Sequence, residues 1–178
     1  MSRLTPVDAA AATGKTKELL GAVQAKLGLT PNMMKTMALS PAVLEGYLSL
    51  SGALSHGALD AKTRERIAIA LAQANSCTYC LSAHSLLGKK AGLSDAEIAA
   101  SRKDAGGAGK ADAVIRFALA VNASKGQLSD AQFEDARRAG LSDAEIAEAI
   151  ANVALNVFTN SFNNAARVEL DFPRVPLE

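Results

Sequence analysis

The sequence predicts an all-α fold on three observations. Its 178 residues are 49% hydrophobic but only 4% aromatic, and much of the apolar content is alanine, the strongest helix former. All five prolines, Pro6, Pro31, Pro41, Pro173 and Pro176, lie toward the ends, so nothing between Pro41 and Pro173 forbids a helix. A tetrad of helix-starting residues recurs three times, and no β-branched alternation bounded by turn residues competes with it. A chain of this length buries about two-thirds of its unfolded surface, enough for a core without disulfides or a structural metal.

The elements follow in order. Leu19, Val23 and Leu27 recur every fourth residue and Gly28 offers a stop, which predicts a first helix. Thr30-Pro31 and Ser40-Pro41 each set a capping side chain before a proline at the first helical position, predicting two more starts. Leu59-Asp60-Ala61 is a reduced form of a start present in full at Leu93-Ser94-Asp95-Ala96, Leu128-Ser129-Asp130-Ala131 and Leu141-Ser142-Asp143-Ala144. In each full copy the serine can cap, and Glu97, Gln132 or Glu145 three residues on completes a capping box. The leading leucine can staple onto Ile98, Phe133 or Ile146 one turn inside the helix. Gly92 and Gly140 stand where helix-terminating glycines would.

Residues 91–99 and 139–147 are identical at all nine positions. The match fits an internal helical repeat, and equally a good helix–turn–helix junction used twice. The stretch Ala105-Gly106-Gly107-Ala108-Gly109 reads as a flexible loop between helices. Residues 1–40 are expected to form a helical arm packed on a core spanning 41–178.

Charge and hydropathy exclude several functions. The formal net charge is +1 and no Lys/Arg stripe forms, which argues against nucleic acid as a partner. The first twenty residues are broken by Arg3, Asp8, Lys15, Lys17 and Glu18, leaving no apolar segment for a secretory signal. No uninterrupted apolar run reaches the roughly 18 residues of a membrane span. A cytoplasmic protein without membrane partners is expected.

The two cysteines, Cys77 and Cys80, stand three residues apart. In a reducing cytosol such a pair is more often catalytic or metal-binding than a fold staple, and so short a loop restrains the unfolded chain little. The helix opened by Asp60 should end near Asn75-Ser76, both good caps and poor interior residues. A second helix should begin near Cys77 and run to Gly92, setting Cys77, Cys80 and His84 on one face. The macrodipole stabilises a thiolate in a first helical turn, and His84, one turn beyond Cys80, can take its proton. A disulfide lies within reach of the i, i+3 separation. A thiolate that attacks a hydroperoxide becomes a sulfenic acid, which the neighbouring thiol can condense with. His84 or Glu65 can protonate the departing alkoxide. The helix terminus favours Cys77 as first nucleophile and the histidine favours Cys80, so the residues alone leave that choice open.

The same residues admit other readings. Cys77, Cys80 and His84, with Glu65 as a fourth, are enough ligands for zinc, although structural zinc usually draws on a second, distant ligand pair. The cysteines could be inert core residues, and Glu65 on an exposed face an ordinary helix partner for Lys62. His56 follows a helix end without a partner in sequence and reads as structural. Met33, Met34 and Met37 read as core or subunit-contact residues rather than a cofactor box. Tyr79 reads as packing, or as a border of the substrate entrance.

The spacing Glu65-x11-Cys77-x2-Cys80-x3-His84 resembles the signature of the alkyl hydroperoxidase D (AhpD-like) group of the carboxymuconolactone decarboxylase superfamily. The similarity is strongest across residues 59–92, and residues 152–173 resemble the peroxidase-related branch. The resemblance implies an AhpD-like orthogonal helical bundle assembled as a homotrimer or hexamer. It also implies a thiol-dependent alkyl hydroperoxide reductase in which Cys80 attacks peroxide, Cys77 resolves, and Glu65 and His84 relay protons. No bound cofactor is implied; electrons would come from a dithiol such as dihydrolipoamide, on a lipoyl protein, or pass through a peroxiredoxin partner. The best-known members carry a second histidine just before the downstream cysteine, where this chain has Tyr79. A protein disulfide reductase or a redox-sensing oligomer using the same dithiol is the alternative. Carboxymuconolactone decarboxylase-like chemistry ranks last, because those enzymes usually lack the cysteine pair.

Overall fold

The computed structural model describes residues 2–103 and 109–178, and every regular element among them is a helix. The fold is therefore all-α, as the sequence predicts. The loop expected at 105–109 lies, apart from Gly109, outside the described residues. The helices are α1 (Gly14–Leu27), α2 (Asn32–Met37), α3 (Pro41–Leu54), α4 (Ala61–Ala74), α5 (Thr78–Lys90), α6 (Asp95–Arg102), α7 (Lys110–Ser124), α8 (Asp130–Arg138) and α9 (Asp143–Ala166).

The repeated tetrads cap as expected. Ser94, Ser129 and Ser142 accept the backbone N–H of Glu97, Gln132 and Glu145, whose side chains reach back to the cap residue's own N–H. Ahead of α6 and α9, Gly92 and Gly140 take φ of 93° and 91°, a conformation that glycine adopts without steric cost. Leu93 N–H then reaches the Gly88 carbonyl at 2.9 Å and Leu141 N–H reaches that of Ala136 at 3.2 Å, closing a Schellman motif in both places. The two identical stretches thus build the same physical junction.

Two starts differ from expectation. Pro31, not Thr30, is the N-cap of α2; Thr30 Oγ1 donates to Gln24 Oε1 instead, at 2.9 Å. Pro31 stays extended, so the helix begins one residue later, and the Asn32 N–H is satisfied by Asp171 Oδ2 at 2.7 Å. Ser40 does precede α3, but its side chain makes no cap bond. In α1 the buried residues are Leu20 and Val23, while Leu27 is exposed.

Helix α4 is the centre of the molecule and touches α5, α6, α7 and α9. Its residues 66–72 are all buried, as expected of a helix enclosed on more than one side. Ile69 and Ala72 join a cluster with Leu20, Val23, Met33, Met34, Met37, Leu44, Cys77 and Cys80. Ile67, Ala70 and Leu71 join a second cluster with α7, α8 and the first half of α9. Residues of the 1–40 segment therefore share a core with the cysteines. The methionines are core residues, one of the two readings the sequence allowed.

Candidate functional site

The site forms where α4 hands over to α5. Asp60 caps α4 by accepting the Thr63 N–H, and the helix ends at Asn75, followed by Ser76 at φ 52°. Ser76 holds a left-handed position usually given to glycine. Its N–H bonds to the Gln73 carbonyl at 3.2 Å, and that of Cys77 to the Ala72 carbonyl at 2.8 Å. Cys77 is then the N-cap of α5, its Sγ accepting the Cys80 N–H at 3.2 Å. One residue thus closes the first helix with its backbone and opens the second with its sulfur. Both thiols are free and buried, Cys77 fully and Cys80 with 2% of its surface exposed.

Packing of α5 on α4 brings Glu65 to His84. Glu65 Oε2 lies 2.8 Å from His84 Nδ1, the two side chains being 21% and 24% exposed. This pair is the wet edge of a site whose sulfurs are dry, and Glu65 turns to His84 rather than along its own helix to Lys62. Gly88, one turn beyond His84, permits the approach: a Cβ there would stand 3.0 Å from Leu93 Cδ1 and 3.4 Å from Ile69 Cδ1. With Nδ1–H donated to the carboxylate, Nε2 is the nitrogen left for proton exchange.

Three further elements reach the site, none of them among the residues singled out from the sequence for chemistry. From α9, Asn163 Nδ2 donates to Cys80 Sγ at 3.2 Å and contacts Met33 Sδ at 3.1 Å. From α2 comes Met33 itself. From α3, Tyr47 is close enough that charge on Glu65 and Cys80 adds to the burial that pushes its phenol up to about 12. Tyr79 is tied to its neighbours: its hydroxyl accepts the Met33 N–H at 3.1 Å and its ring meets Phe172 edge-on, with centroids 5.5 Å apart. Burial drives its phenol far above the ordinary range, so Tyr79 is a packing residue that holds its proton. His56 lies exposed beyond the end of α3.

The two thiols are polarised in opposite directions. Cys80 is lowered to about 7, first by the hydrogen bond from the Cys77 thiol, then by the charge of His84 and the amides of Asn163 and Asn160, against the opposing effect of burial. Cys77 is driven strongly upward by donating that bond and by burial. Burial works against a charged His84, yet attraction to Glu65 and Cys80 raises its pKa overall. The stability that Cys80 contributes is therefore present above the unfolded thiol range and lost as pH falls through about 7. That of His84 is present below about 6.5 and lost as pH rises through its raised folded value. Alkylation of Cys80 by iodoacetamide is expected to rise with a midpoint near 7, well below the ordinary thiol value of 9.0. Cys77→Ala, which removes the donor, should move that midpoint upward; an unmoved midpoint in the alanine variant would contradict this electrostatic picture.

Among the described residues no group of three or more His, Cys, Asp and Glu side chains is placed to hold a metal ion. No described helix is long and apolar enough to cross a membrane.

Residues 41–121 match the carboxymuconolactone decarboxylase family. The fold is similar to the AhpD core of an uncharacterized peroxidase-related protein from Ralstonia eutropha JMP134, with TM-score 0.85, 25% identity, and 96% and 92% of the two chains covered. It is also similar to a peroxidase-related protein from Silicibacter sp. TM1040, at TM-score 0.83, 21% identity, and 94% and 91% coverage. The debrominase Bmp8 bound to 2,3,4-tribromopyrrole shares the fold at TM-score 0.80, 20% identity, and 96% and 92% coverage. An uncharacterized protein of Haemophilus influenzae is 49% identical over 45 residues, which span 25% of this chain and 40% of that protein. The match thus covers less than half the length of that curated relative.

Proposed function

We propose that this chain, whose residues 41–121 match the carboxymuconolactone decarboxylase family, is an AhpD-like, peroxidase-like antioxidant enzyme that reduces organic hydroperoxides through a Cys77–Cys80 dithiol. The observation that carries the reading is the arrangement around the thiol pair: Cys77 Sγ accepts the Cys80 N–H at 3.2 Å, Asn163 Nδ2 donates to Cys80 Sγ at 3.2 Å, and this bonding favours Cys80 over Cys77 as thiolate. Cys80 Sγ attacks the distal hydroperoxide oxygen, the S–O bond forming as the O–O bond breaks. The departing alkoxide takes a proton from His84, which Glu65 holds by Nδ1. Cys77 then attacks the sulfenic sulfur; the disulfide forms and the oxygen leaves as water. A dithiol donor, for which dihydrolipoamide is the reagent of choice, returns two electrons and two protons.

Burial bears on the alternative. A protein disulfide needs an exposed attacking thiol, whereas both sulfurs here are enclosed and only Glu65 and His84 reach solvent. That favours a small-molecule oxidant over protein disulfides. Consumption of an organic hydroperoxide by the protein with dihydrolipoamide tests the reading. Sustained turnover supports it. No consumption, with a disulfide that still cycles against protein substrates, would move the function to disulfide reduction.

Assembly as a homotrimer or hexamer is part of the same proposal. Helix α9 carries no charged residue from 149 to 166 and exposes Ile150, Val157 and Phe158, with Leu50 exposed on α3. Exposed apolar side chains on a helix stretch without charge fit an interface, and cyclic assembly would bury them symmetrically. Light scattering at working concentration is expected to give a multiple of the 18.3 kDa chain mass; a monomer would refute the assembly. A cytoplasmic location fits a thiol that must stay reduced between turnovers.

A further inference from the structure

Helix α9 buries a row of amides, Asn152, Asn156, Asn160 and Asn163, on one face. Asparagine is a poor helix-interior residue, and a buried amide is costly unless its groups are bonded. The first two satisfy their donors within their own helix: Asn152 Nδ2 donates to the Glu148 carbonyl and Asn156 Nδ2 to that of Asn152, both at 2.8 Å. The next two do not. Asn163 Nδ2 goes to Cys80 Sγ at 3.2 Å and Met33 Sδ at 3.1 Å. Asn160 accepts from Asn75 Nδ2 through its Oδ1 at 2.9 Å, which leaves its own buried Nδ2 without a partner. Asn75 is in turn braced by Asn122, whose Nδ2 donates to Asn75 Oδ1 at 3.0 Å. Asn160 is therefore held by its oxygen with its donor spare.

We propose that Asn160 and Asn163 form an amide clamp on the Cys80 sulfur, Asn163 donating to the thiolate and the spare Asn160 N–H to the oxygen that the sulfur acquires. The second half rests on the hydroperoxide reading; the first does not. In the step concerned, the thiolate gives two electrons to the O–O bond, one oxygen becomes bonded to sulfur, and the other leaves as alkoxide to be protonated by His84. A fixed donor aimed at oxygen on which charge develops accelerates a reaction by differential stabilisation. Asn163 also lowers the Cys80 pKa, in line with its donating to the anion, and the effect of Asn160 in the same direction is the smaller.

The test uses the full chain carrying Cys77→Ser, so that Cys80 is the one thiol read. In that background Asn163→Leu is expected to slow iodoacetamide alkylation at neutral pH about tenfold and to raise its midpoint, with the rate at high pH unchanged. Should the leucine variant fail to fold, Asn163→Ser against Asn163→Ala carries the comparison, the serine retaining a donor and the lower midpoint. Asn160→Leu is expected to slow single-turnover oxidation by cumene hydroperoxide about tenfold, and alkylation much less, since no oxygen is transferred there. Unchanged midpoints at position 163 would overturn the thiolate half. Equal slowing of both reactions in Asn160→Leu would overturn the oxygen half. A raised midpoint in Asn163→Leu, in a protein that no hydroperoxide oxidises, would instead uphold the thiolate clamp and defeat the hydroperoxide reading.

Discussion

Cys80→Ser is expected to reduce hydroperoxide turnover by about a thousandfold or more, because a serine hydroxyl stays protonated at every working pH and cannot attack the O–O bond as a thiolate does. Cys77→Ser should behave differently. The serine hydroxyl can still donate toward Cys80 Sγ, replacing in kind the bond by which Cys77 lowers the Cys80 pKa. One oxidation per chain therefore survives, and turnover stops at a sulfenic acid with no thiol beside it. Steady-state consumption with a dithiol separates both variants from wild type, and a rapid-mixing burst separates them from each other. Equal bursts in the two variants would show that the first nucleophile had been assigned wrongly.

The largest stability effect is expected at Ile69. It is fully buried in α4 and packs in the cluster that also holds Cys77, Cys80 and Leu44. Truncation to alanine removes three buried carbons and leaves a cavity where α4 meets α5, at a cost of about 2–5 kcal/mol. The same helix carries Glu65, and Gly88 approaches Ile69 at the crossing, so the loss should loosen the Glu65–His84 contact as well as lower stability. Urea denaturation reads the first effect, and the pH dependence of Cys80 alkylation reads the second. A change below about 0.5 kcal/mol would mean that α4 is not the organising helix of the core.

How legible these features were depended on the range of the interactions behind them. The capping boxes at Ser94, Ser129 and Ser142 and the stops at Gly92 and Gly140 are closed by partners within a few residues, so the sequence exposes them directly. The thiol pair is local in the same sense, as is the α4–α5 junction around Asn75 and Ser76. Glu65 and His84 are 19 residues apart, and only the motif suggested that they meet. The start of α2 was misread because its first free amide is satisfied by Asp171, 139 residues away. Tyr47, Met33, Asn160 and Asn163 reach the thiols through packing of α3, α2 and α9, for which no local pattern exists. One signal was present: asparagines at 152, 156, 160 and 163 fall at helical spacing within a mostly apolar helix, where an amide is placed against propensity.

The most direct measurement is a single turnover of the reduced wild-type protein with one equivalent of cumene hydroperoxide, followed by intact mass and peptide mapping. The expected result is one cumyl alcohol released per chain, the loss of two hydrogens, and a disulfide joining Cys77 to Cys80. A protein that keeps both thiols, or that is oxidised at another residue while Cys80 remains free, would contradict the central claim that this dithiol is the site of hydroperoxide reduction.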